Sequence, residues 1–339
     1  QRRDARVWDW QRMSRCGKTP IIMRISRKVL LVLGAFLLVV SCRKEEETAG
    51  VPAAVPAASA NPLHAYFNKR VAAARQNFNV NASVGGTITG NDGCRVTFAP
   101  QAFRTAAGAM VNGTVQVELV EVLDYRTMIR LNKQTVGRMG NERRMLGSGG
   151  ELRVIARQYG VEVDIARNAA TVSVPTGQPD SRMQVFYGDE AADGSVEWEF
   201  TEDTLVVPDT ADWDSAWGDW FYYTFQADSL GWLNCDYFPQ ASLSSVSIAA
   251  PAGFTQANTL FWVAIPAMNG VMSCWYAGTV FQSAMAPIGM PAVMIGLHQD
   301  ADGNHQSSFT DITIAPGATV TPVFTPTTLS QFESDINGI

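Results

Sequence analysis

Residues 85–100 read GGTITGNDGCRVTFAP, and this stretch decides the fold. Alternating apolar and polar residues lie on both sides of Asn91-Asp92-Gly93, and an Asp-Gly pair between two such runs is a strong β-hairpin signal. Alternation with a period of two predicts strands that have one buried and one exposed face. We therefore expect a β domain that begins near residue 79.

The chain after this hairpin repeats the pattern of short strands and turn residues. Further runs of this kind occur at 111–124, 150–165, 170–177 and 183–200. In the first of them the alternation slips near Val120, as a β-bulge would allow. Short antiparallel strands at regular spacing are typical of a β-sandwich, so residues 79–200 are predicted to form one.

An acidic, turn-rich segment at 201–220, TEDTLVVPDTADWDSAWGDW, is predicted to be a linker. Residues 221–339 return to strand patterns and predict a second β-rich domain, whose last residues, TLSQFESDINGI, are compatible with a terminal helix. The predicted fold class is therefore mainly β, with two consecutive antiparallel β-sandwich-like domains.

One helix is predicted before the first domain, at 61–78. Asn61 can cap its N-terminus, and Pro62 suits the first helical position because its missing N–H costs no hydrogen bond there. An apolar stripe at helical spacing follows, formed by Leu63, Phe67, Val71, Ala74 and Phe78. Such a stripe usually packs on a neighbouring domain, so this segment is interpreted as a short docking or spacer helix.

The N-terminal part of the chain carries the pattern of an export signal. Basic residues precede an apolar run at 29–40, which is shorter than the roughly 20 residues that a membrane-spanning helix needs. A run of this length is typical of a signal peptide. It ends in Val39-Val40-Ser41-Cys42, which resembles the lipobox of bacterial lipoproteins. The resemblance implies that residues 23–41 are a signal peptide and that Cys42 receives the lipid.

The segments on either side of this signal are not expected to belong to the folded body. Residues 1–22 precede a candidate start at Met23 and are interpreted as an over-extended reading frame. Residues 42–60 are rich in Ala and Pro and are predicted to be a flexible tether. The tether begins with an acidic run, Glu45-Glu46-Glu47, which is similar to the surface-export signal of lipoproteins from the Bacteroidota. That resemblance implies the outer face of the outer membrane, with its periplasmic face as the alternative.

Charge argues against nucleic acid as a partner. Residues 1–41 hold nine of the 26 Lys and Arg residues and two of the 32 Asp and Glu residues, so the remainder has a net charge of about −13. An acidic body repels phosphate backbones, and we therefore expect no nucleic-acid binding.

Cysteine usage leaves two readings open. If Cys42 carries lipid, Cys94, Cys235 and Cys274 remain, and one disulfide suits an oxidising compartment. Cys235 and Cys274 are the better pair because both lie in the C-terminal half. The alternative is that they are small buried apolar residues. Since no CxxC spacing occurs, neither a metal site nor a cofactor is predicted.

Two longer stretches carry a resemblance to known proteins. GGTITGNDGCRVTFAPQAF, followed by GAMVNGTVQVELVEV, resembles the N-terminal part of ZU5-like β-sandwich modules. The longer run, which includes LGSGGELRVIA and GWLNCDYF, is similar to a group of uncharacterised lipoproteins from the Bacteroidota. This resemblance covers roughly residues 80–330 of the sequence. It implies a fold and a lineage, and it implies no catalytic residues.

Candidates for catalysis are weak. Carboxylates and an amide alternate in the loop 300–304 as calcium ligands do, but the twelfth position of an EF-hand loop would be Asp311 rather than Glu, so a hairpin turn is favoured. Glu118 and Glu121 should face opposite sides of a strand, which disfavours a paired-carboxylate hydrolase.

Aromatic residues are the remaining signal, because seven Trp residues lie beyond residue 197. Trp232 and Trp262 are predicted to be core residues. Trp213, Trp217 and Trp220 lie among aspartates that favour exposure, so they are candidate ligand-binding residues.

The leading hypothesis from the sequence is a lipid-anchored envelope protein with a non-enzymatic binding or scaffolding role. It would be held to the membrane by its lipid and bind a glycan or a protein. The alternative is carbohydrate capture by an aromatic platform, and a hydrolase with an unrecognised site comes third.

Overall fold

A computed structural model describes residues 61–177, 179–191, 193–205, 207–209 and 221–339. Of 202–205 and 207–209 it describes the backbone alone. The predicted signal peptide, Cys42, the tether and Trp213, Trp217 and Trp220 lie outside these residues. Within the described ranges, no helix is both long enough and apolar enough to cross a membrane.

The described chain is mainly β, as predicted, with three helices. The strands up to the end of the first sandwich are β1 (Gln76–Asn81), β2 (Gly86–Thr89), β3 (Arg95–Phe98), β4 (Phe103–Arg104), β5 (Thr114–Val122), β6 (Val136–Met139), β7 (Glu142–Met145), β8 (Gly147–Gln158), β9 (Val161–Ile165), β10 (Ala170–Thr176), β11 (Gln184–Glu190), β12 (Val196–Leu205), β13 (Val207–Asp209), β14 (Phe221–Ala227) and β15 (Gly231–Tyr237). The later strands are β16 (Leu243–Ser244), β17 (Ser247–Ile248), β18 (Thr259–Ile265), β19 (Gly270–Ser273), β20 (Trp275–Tyr276), β21 (Phe281–Gln282), β22 (Ala286–Pro287), β23 (Pro291–Gln299), β24 (His305–Thr313), β25 (Thr319–Val320) and β26 (Thr325–Thr327). The helices are α1 (Pro62–Ala73), α2 (Tyr125–Leu131) and α3 (Leu329–Ile336), and Pro266–Met268 forms a 3₁₀ turn.

The first sandwich consists of a ten-stranded and a five-stranded sheet. The large sheet has the order β1-β5-β8-β15-β11-β12-β6-β7, with β9 beside β8 and β4 beside β9. The smaller sheet has the order β13-β14-β10-β3-β2. Apolar side chains from both sheets form one buried core, which includes Val96, Val117, Val154, Val172 and Leu233. The quoted hairpin is β2–β3, and it lies at the edge of the smaller sheet.

The second sandwich is smaller. A five-stranded sheet in the order β19-β18-β23-β24-β26 packs against short strands in the order β20-β21-β17-β25. Their shared core includes Phe261, Val263 and Met294 from the larger sheet and Ile248 and Phe281 from the smaller one. Nearly all pairs in both sandwiches are antiparallel; β6–β12 and β17–β25 are the parallel pairs among the described strands.

A layer of three helices lies between the two sandwiches and is called the helical layer here. Phe67 of α1 and Phe332 of α3 are almost fully buried, and both rings contact Trp262 of β18, with centroids 5.6 and 6.2 Å away. The same core includes Val120 and Val122 from the large sheet of the first sandwich. Both sandwiches therefore share one apolar core through these helices.

Helix α1 begins as predicted and ends earlier. Asn61 accepts a hydrogen bond from the Leu63 amide at 3.0 Å, and Pro62 occupies the first turn. The predicted end at residue 78 is wrong, because the helix stops at Ala73 and Phe78 lies in β1 opposite Val117. The apolar spacing continued past Ala73 only by coincidence with the buried face of the next strand.

The slip of the apolar alternation near Val120 occurs within β5 and does not come from a β-bulge. The register of β5 against β8 is continuous over residues 116–122. Val115, Val117 and Leu119 face the core of the first sandwich, whereas Val120 and Val122 pack in the helical layer. The predicted bulge is wrong, and the slip marks the point beyond which both faces of the strand are covered.

The linker predicted at 201–220 does not separate two domains. Strands β14 and β15 follow it, yet β14 pairs with β10 and β15 pairs with β8 and β11. The first sandwich therefore extends to Tyr237, and the strands of the second begin at Leu243. Pairing between strands that are far apart in sequence leaves no local signal, which is why the boundary was misplaced.

A polar cluster is buried beneath the helical layer, where β8 and β15 pair. The register shifts between Asn234 and Asp236, and Gly150 has a φ of 117°, so a bulge turns Ser148 and Glu151 to the same face. Glu151 and Asp236, called the buried acid pair, are 0% exposed. Neither oxygen of Glu151 and only one of Asp236 has a hydrogen-bond partner in the described chain.

Asn269 joins the two sandwiches from the left-handed region, with a φ of 48°. Its amide donates to the carbonyl oxygens of Leu123 and Ser148 at 2.8 and 3.2 Å, and its side-chain oxygen accepts from the Tyr125 amide at 2.8 Å. These three bonds fix the loop after β5 and the start of β8 against the second sandwich.

We expect Asn269→Ala to lower the free energy of unfolding by about 2–3 kcal/mol, because three backbone groups lose their partner and alanine tolerates positive φ poorly. Urea denaturation measures the change. Asn168→Ala is the matched control, since Asn168 has a φ of 58° and is exposed. The control measures only the cost of placing alanine at a positive φ. An equal loss of unfolding free energy in the two variants would show that the three hydrogen bonds contribute nothing.

A candidate ligand-binding cleft between the sandwiches

A cavity of about 410 Å³ opens where the two sandwiches meet, and it is called the cleft here. One wall is the β11–β12 hairpin of the first sandwich, and the other is formed by β18, β19 and β20 of the second. The N-terminal turn of α1 contributes His64. The site thus depends on segments near residues 64, 189–197 and 259–276, which are remote from one another in sequence.

Gln134 forms the floor of the cleft and connects its walls. Its side-chain nitrogen donates to the Val196 carbonyl at 3.0 Å, and its side-chain oxygen accepts from the Ser273 amide at 3.1 Å. Next to it, Thr135 exchanges backbone and side-chain hydrogen bonds with Val271. The two walls are therefore held at a fixed spacing by bonds to one short segment.

Glu197, on the first wall of the cleft, forms ion pairs with two arginines. Its carboxylate accepts from Arg138 and Arg143, each at 2.9 Å. Burial alone would raise the pKa of Glu197, but the hydrogen bonds from the two arginines lower it below its usual range. Glu197 therefore remains a carboxylate at neutral pH and cannot serve as a proton donor.

Glu190 lies at the inner end of the same hairpin, within a network of cations. It accepts hydrogen bonds from Lys133 and the Trp232 indole, each at 3.0 Å, and forms an ion pair with Arg153 at 3.1 Å. Burial opposes ionisation, but the Trp232 hydrogen bond and the Lys133 charge lower the pKa of Glu190. Burial also lowers the pKa of Lys133, whose side chain is only 2% exposed. This network is structural, because its members satisfy each other.

His64 and Asp193 meet at the mouth of the cleft. Burial lowers the pKa of His64, and the nearby Asp193 charge offsets this only in part, so the imidazole is neutral at pH 7. Burial would raise the pKa of Asp193, but hydrogen bonds from the Ser195 hydroxyl and amide lower it. Asp193 is thus a carboxylate that is already bonded within its own turn.

The second wall supplies an aromatic ring and a thiol. Trp275 is half-buried, and the Arg143 guanidinium lies over its ring, 5.4 Å from the centroid. Burial raises the pKa of the neighbouring Cys274 thiol far above its usual value, so no thiolate nucleophile forms there. The Ser273 hydroxyl is buried without a hydrogen-bond partner among the described residues.

Three groups in the cleft remain open to a ligand, and a fourth, the Ser273 hydroxyl, is buried beside them without a partner. The described chain offers no hydrogen bond to the Asp189 carboxylate, the His64 ring, the Trp275 indole N–H or the Ser273 hydroxyl. Asp189 lies opposite Glu197 in the β11–β12 register, and Glu197 binds Arg143, which covers Trp275. Asp189 and Trp275 therefore line the cleft from opposite walls.

Few of these residues were candidates from the sequence. Trp275 was counted there only among the seven Trp residues beyond residue 197, and His64, Asp189, Gln134 and Ser273 were missed. No local motif marks them, because strand pairing and the packing of two sandwiches bring them together. The turn at Asp193-Gly194 and the isolated Trp-Tyr pair at 275–276 are signals only in hindsight.

The predicted Cys235–Cys274 disulfide is not formed. Both residues are free cysteines, and so is Cys94. Cys235 packs in the core of the first sandwich with Cys94, whereas Cys274 packs against the core of the second. The alternative, a small buried apolar residue, describes Cys235, whereas Cys274 is only partly buried.

The other residues considered from the sequence have structural roles. Glu118 pairs with Arg157, and Glu121 accepts from the amides of Asp92 and Cys94 at 3.0 and 2.8 Å. The two carboxylates lie on opposite faces of β5, as expected. Trp232 and Trp262 are 3% and 0% exposed, which confirms them as core residues.

The loop 300–304 is the turn of the β23–β24 hairpin. The Asp300 carboxylate accepts from the amides of Asp302 and Asn304 within that turn. In the described part of the chain, no three His, Cys, Asp or Glu side chains converge on a metal position.

No protein-family model matches the chain, and no curated protein matches it either.

Proposed function

We propose that this protein is a lipid-anchored envelope protein that binds a ligand in the cleft without transforming it. The observation behind the proposal is which charged and polar side chains of the cleft already have a partner in the chain. Glu190 and Glu197 are paired with cations, while Asp189, Trp275 and His64 remain open to a ligand. Such a site offers hydrogen bonds and an aromatic surface, which are the elements of specific binding.

The same groups argue against catalysis. Hydrolysis of glycosidic bonds needs a carboxylic acid whose pKa is raised, whereas the pKa values of Glu190, Asp193 and Glu197 are lowered. Nucleophilic catalysis needs an activated group, and the raised pKa of Cys274 keeps its thiol protonated. The cleft is suited to holding a ligand rather than to transferring protons to it.

Binding is tested by adding candidate ligands to the full mature chain and following its thermal unfolding. A ligand that binds the folded state raises the unfolding midpoint. NMR of the ligand recovered after a long incubation should show it unchanged. Cleaved or modified ligand would contradict a non-enzymatic role.

The anchor rests on the pattern that ends in Cys42. We expect Cys42→Ser to abolish incorporation of a labelled fatty acid and to leave the signal peptide attached, because the thiol is the lipid acceptor in such proteins. Mass spectrometry of the mature N-terminus measures both effects, and Cys94→Ser is the control. Lipid on the Cys42→Ser variant, or an unmodified Cys42 in the parent, would refute the anchor.

Placement on the outer face of the outer membrane is supported by the acidic run after Cys42 and is tested by protease treatment of intact cells.

The carbohydrate platform at Trp213, Trp217 and Trp220 stays a prediction. It is tested by polysaccharide pull-down with Trp213→Ala and Trp217→Ala.

A further inference from the structure

The ion pairs of the cleft disfavour an anionic ligand. Glu197 is bonded by two arginines, and Glu190 is paired with Lys133 and Arg153. An anionic ligand would have to displace a carboxylate from these cations, and the unpaired Asp189 carboxylate would repel it. Breaking a partly buried pair leaves one charge uncompensated, which is strongly unfavourable. An uncharged ligand avoids this cost.

The open groups of the cleft include both donors and acceptors. The Asp189 carboxylate only accepts, and the Trp275 indole only donates. A neutral His64 offers one donor and one acceptor nitrogen. A ligand hydroxyl both donates and accepts, so several hydroxyls on one ligand can satisfy all three groups. An aliphatic ligand would leave them without partners at a cost of about 1–3 kcal/mol each.

The aromatic surface is fixed before a ligand arrives. Arg143 bonds to Glu197 and lies over the Trp275 ring, which keeps the indole in one orientation on the second wall. A rigid ring loses little conformational entropy on binding, and it packs well against flat C–H surfaces. Hydroxyl groups around a ring that carries such C–H surfaces are the chemistry of a saccharide.

We propose that the cleft binds an uncharged saccharide unit, which packs against the exposed part of the Trp275 ring and bonds through its hydroxyls to Asp189. The inference rests on the proposed function and adds the class of ligand. Arg143 acts here as a positioning residue, because it lies over the Trp275 ring and is itself held by Glu197. The volume of about 410 Å³ is suited to a small ligand or to one segment of a longer chain.

Three probe sets test this with the full mature chain by calorimetry: neutral oligosaccharides, sulfated or uronic-acid oligosaccharides, and short peptides. We expect binding of at least one neutral oligosaccharide. Trp275→Ala and Asp189→Asn should each weaken it at least tenfold, or about 1.4 kcal/mol. Tyr159→Ala and Asp302→Asn are matched controls, because both residues are exposed and lie outside the cleft. Asp189→Asn keeps the test valid if Trp275→Ala folds poorly.

Each result decides the proposal. Preference for the charged saccharides, no binding of any neutral saccharide, or saccharide binding that survives both cleft variants would overturn it. Peptide binding that is lost in Trp275→Ala would overturn the ligand class and leave the proposed function standing. Cleavage of a bound oligosaccharide would instead refute the proposed function, while the ligand class would stand.

Discussion

Trp262→Ala is expected to lower the free energy of unfolding by about 3–5 kcal/mol, the range typical of a fully buried aromatic residue. Trp262 is 0% exposed and contacts Phe67 of α1 and Phe332 of α3. Its indole nitrogen donates to the Asn132 side chain at 3.0 Å. One truncation therefore removes contacts between the second sandwich, the helices that cover it and the loop that leads to the cleft.

Urea denaturation with two probes measures this effect. Because both sandwiches share the helical layer, the parent should unfold in a single transition. Trp262→Phe is the matched control, since it retains an aromatic ring but leaves the Asn132 oxygen unpartnered, and it should cost less than the alanine variant. Two separate transitions in the parent, or a loss below about 1 kcal/mol in Trp262→Ala, would show that the layer does not couple the sandwiches.

Glu151→Gln is expected to stabilise the protein increasingly as the pH rises from 5 to 8. Burial raises the pKa values of Glu151 and Asp236 well above their usual values. The folded protein therefore retains protons that the unfolded chain releases above about pH 4. Because the native state binds more protons, its stability falls with rising pH, by about 1.4 kcal/mol per pH unit for each retained proton. The decline ends once the pH exceeds the folded-state pKa values.

The variant removes one of these protons, and the difference between variant and parent should reach about 1–4 kcal/mol at pH 8. The histidines have lowered pKa values, so their contribution to the free energy of unfolding increases with pH in the same range. This contribution is the same in variant and parent, and it cancels when the two free energies are subtracted. Asp236→Asn should behave alike. Glu162→Gln, at a largely exposed carboxylate, is the control. A parallel pH dependence of parent and Glu151→Gln would refute the retained proton.

The sequence was informative where the determinants are local. The β2–β3 hairpin follows from the turn residues at 91–93, and the start of α1 follows from Asn61 and Pro62. The C-terminal helix also lies within the predicted tail, over Leu329–Ile336. In each case a few adjacent residues carry the full signal, so no knowledge of distant contacts is required.

Features that depend on distant contacts were misjudged or missed. Helix α2 was not predicted, since it is only Tyr125–Leu131 and its capping residue Asp124 follows directly on a strand. The extension of the first sandwich to Tyr237 depends on β15 pairing with strands up to 90 residues earlier in the sequence. The cleft was missed for the same reason, because Asp189 and Trp275 meet only after both sandwiches have packed on the helical layer.

The position of Asn61 has a mechanical consequence for a protein held by a lipid at Cys42. Tension on the tether would enter the folded body at Asn61, whose side chain bonds to the carbonyl oxygens of Gln256 and Thr259. The load would therefore act first on α1, where it joins the two sandwiches. Under the proposed anchor, a pull on the tether would thus be transmitted through α1 to His64 at one end of the cleft.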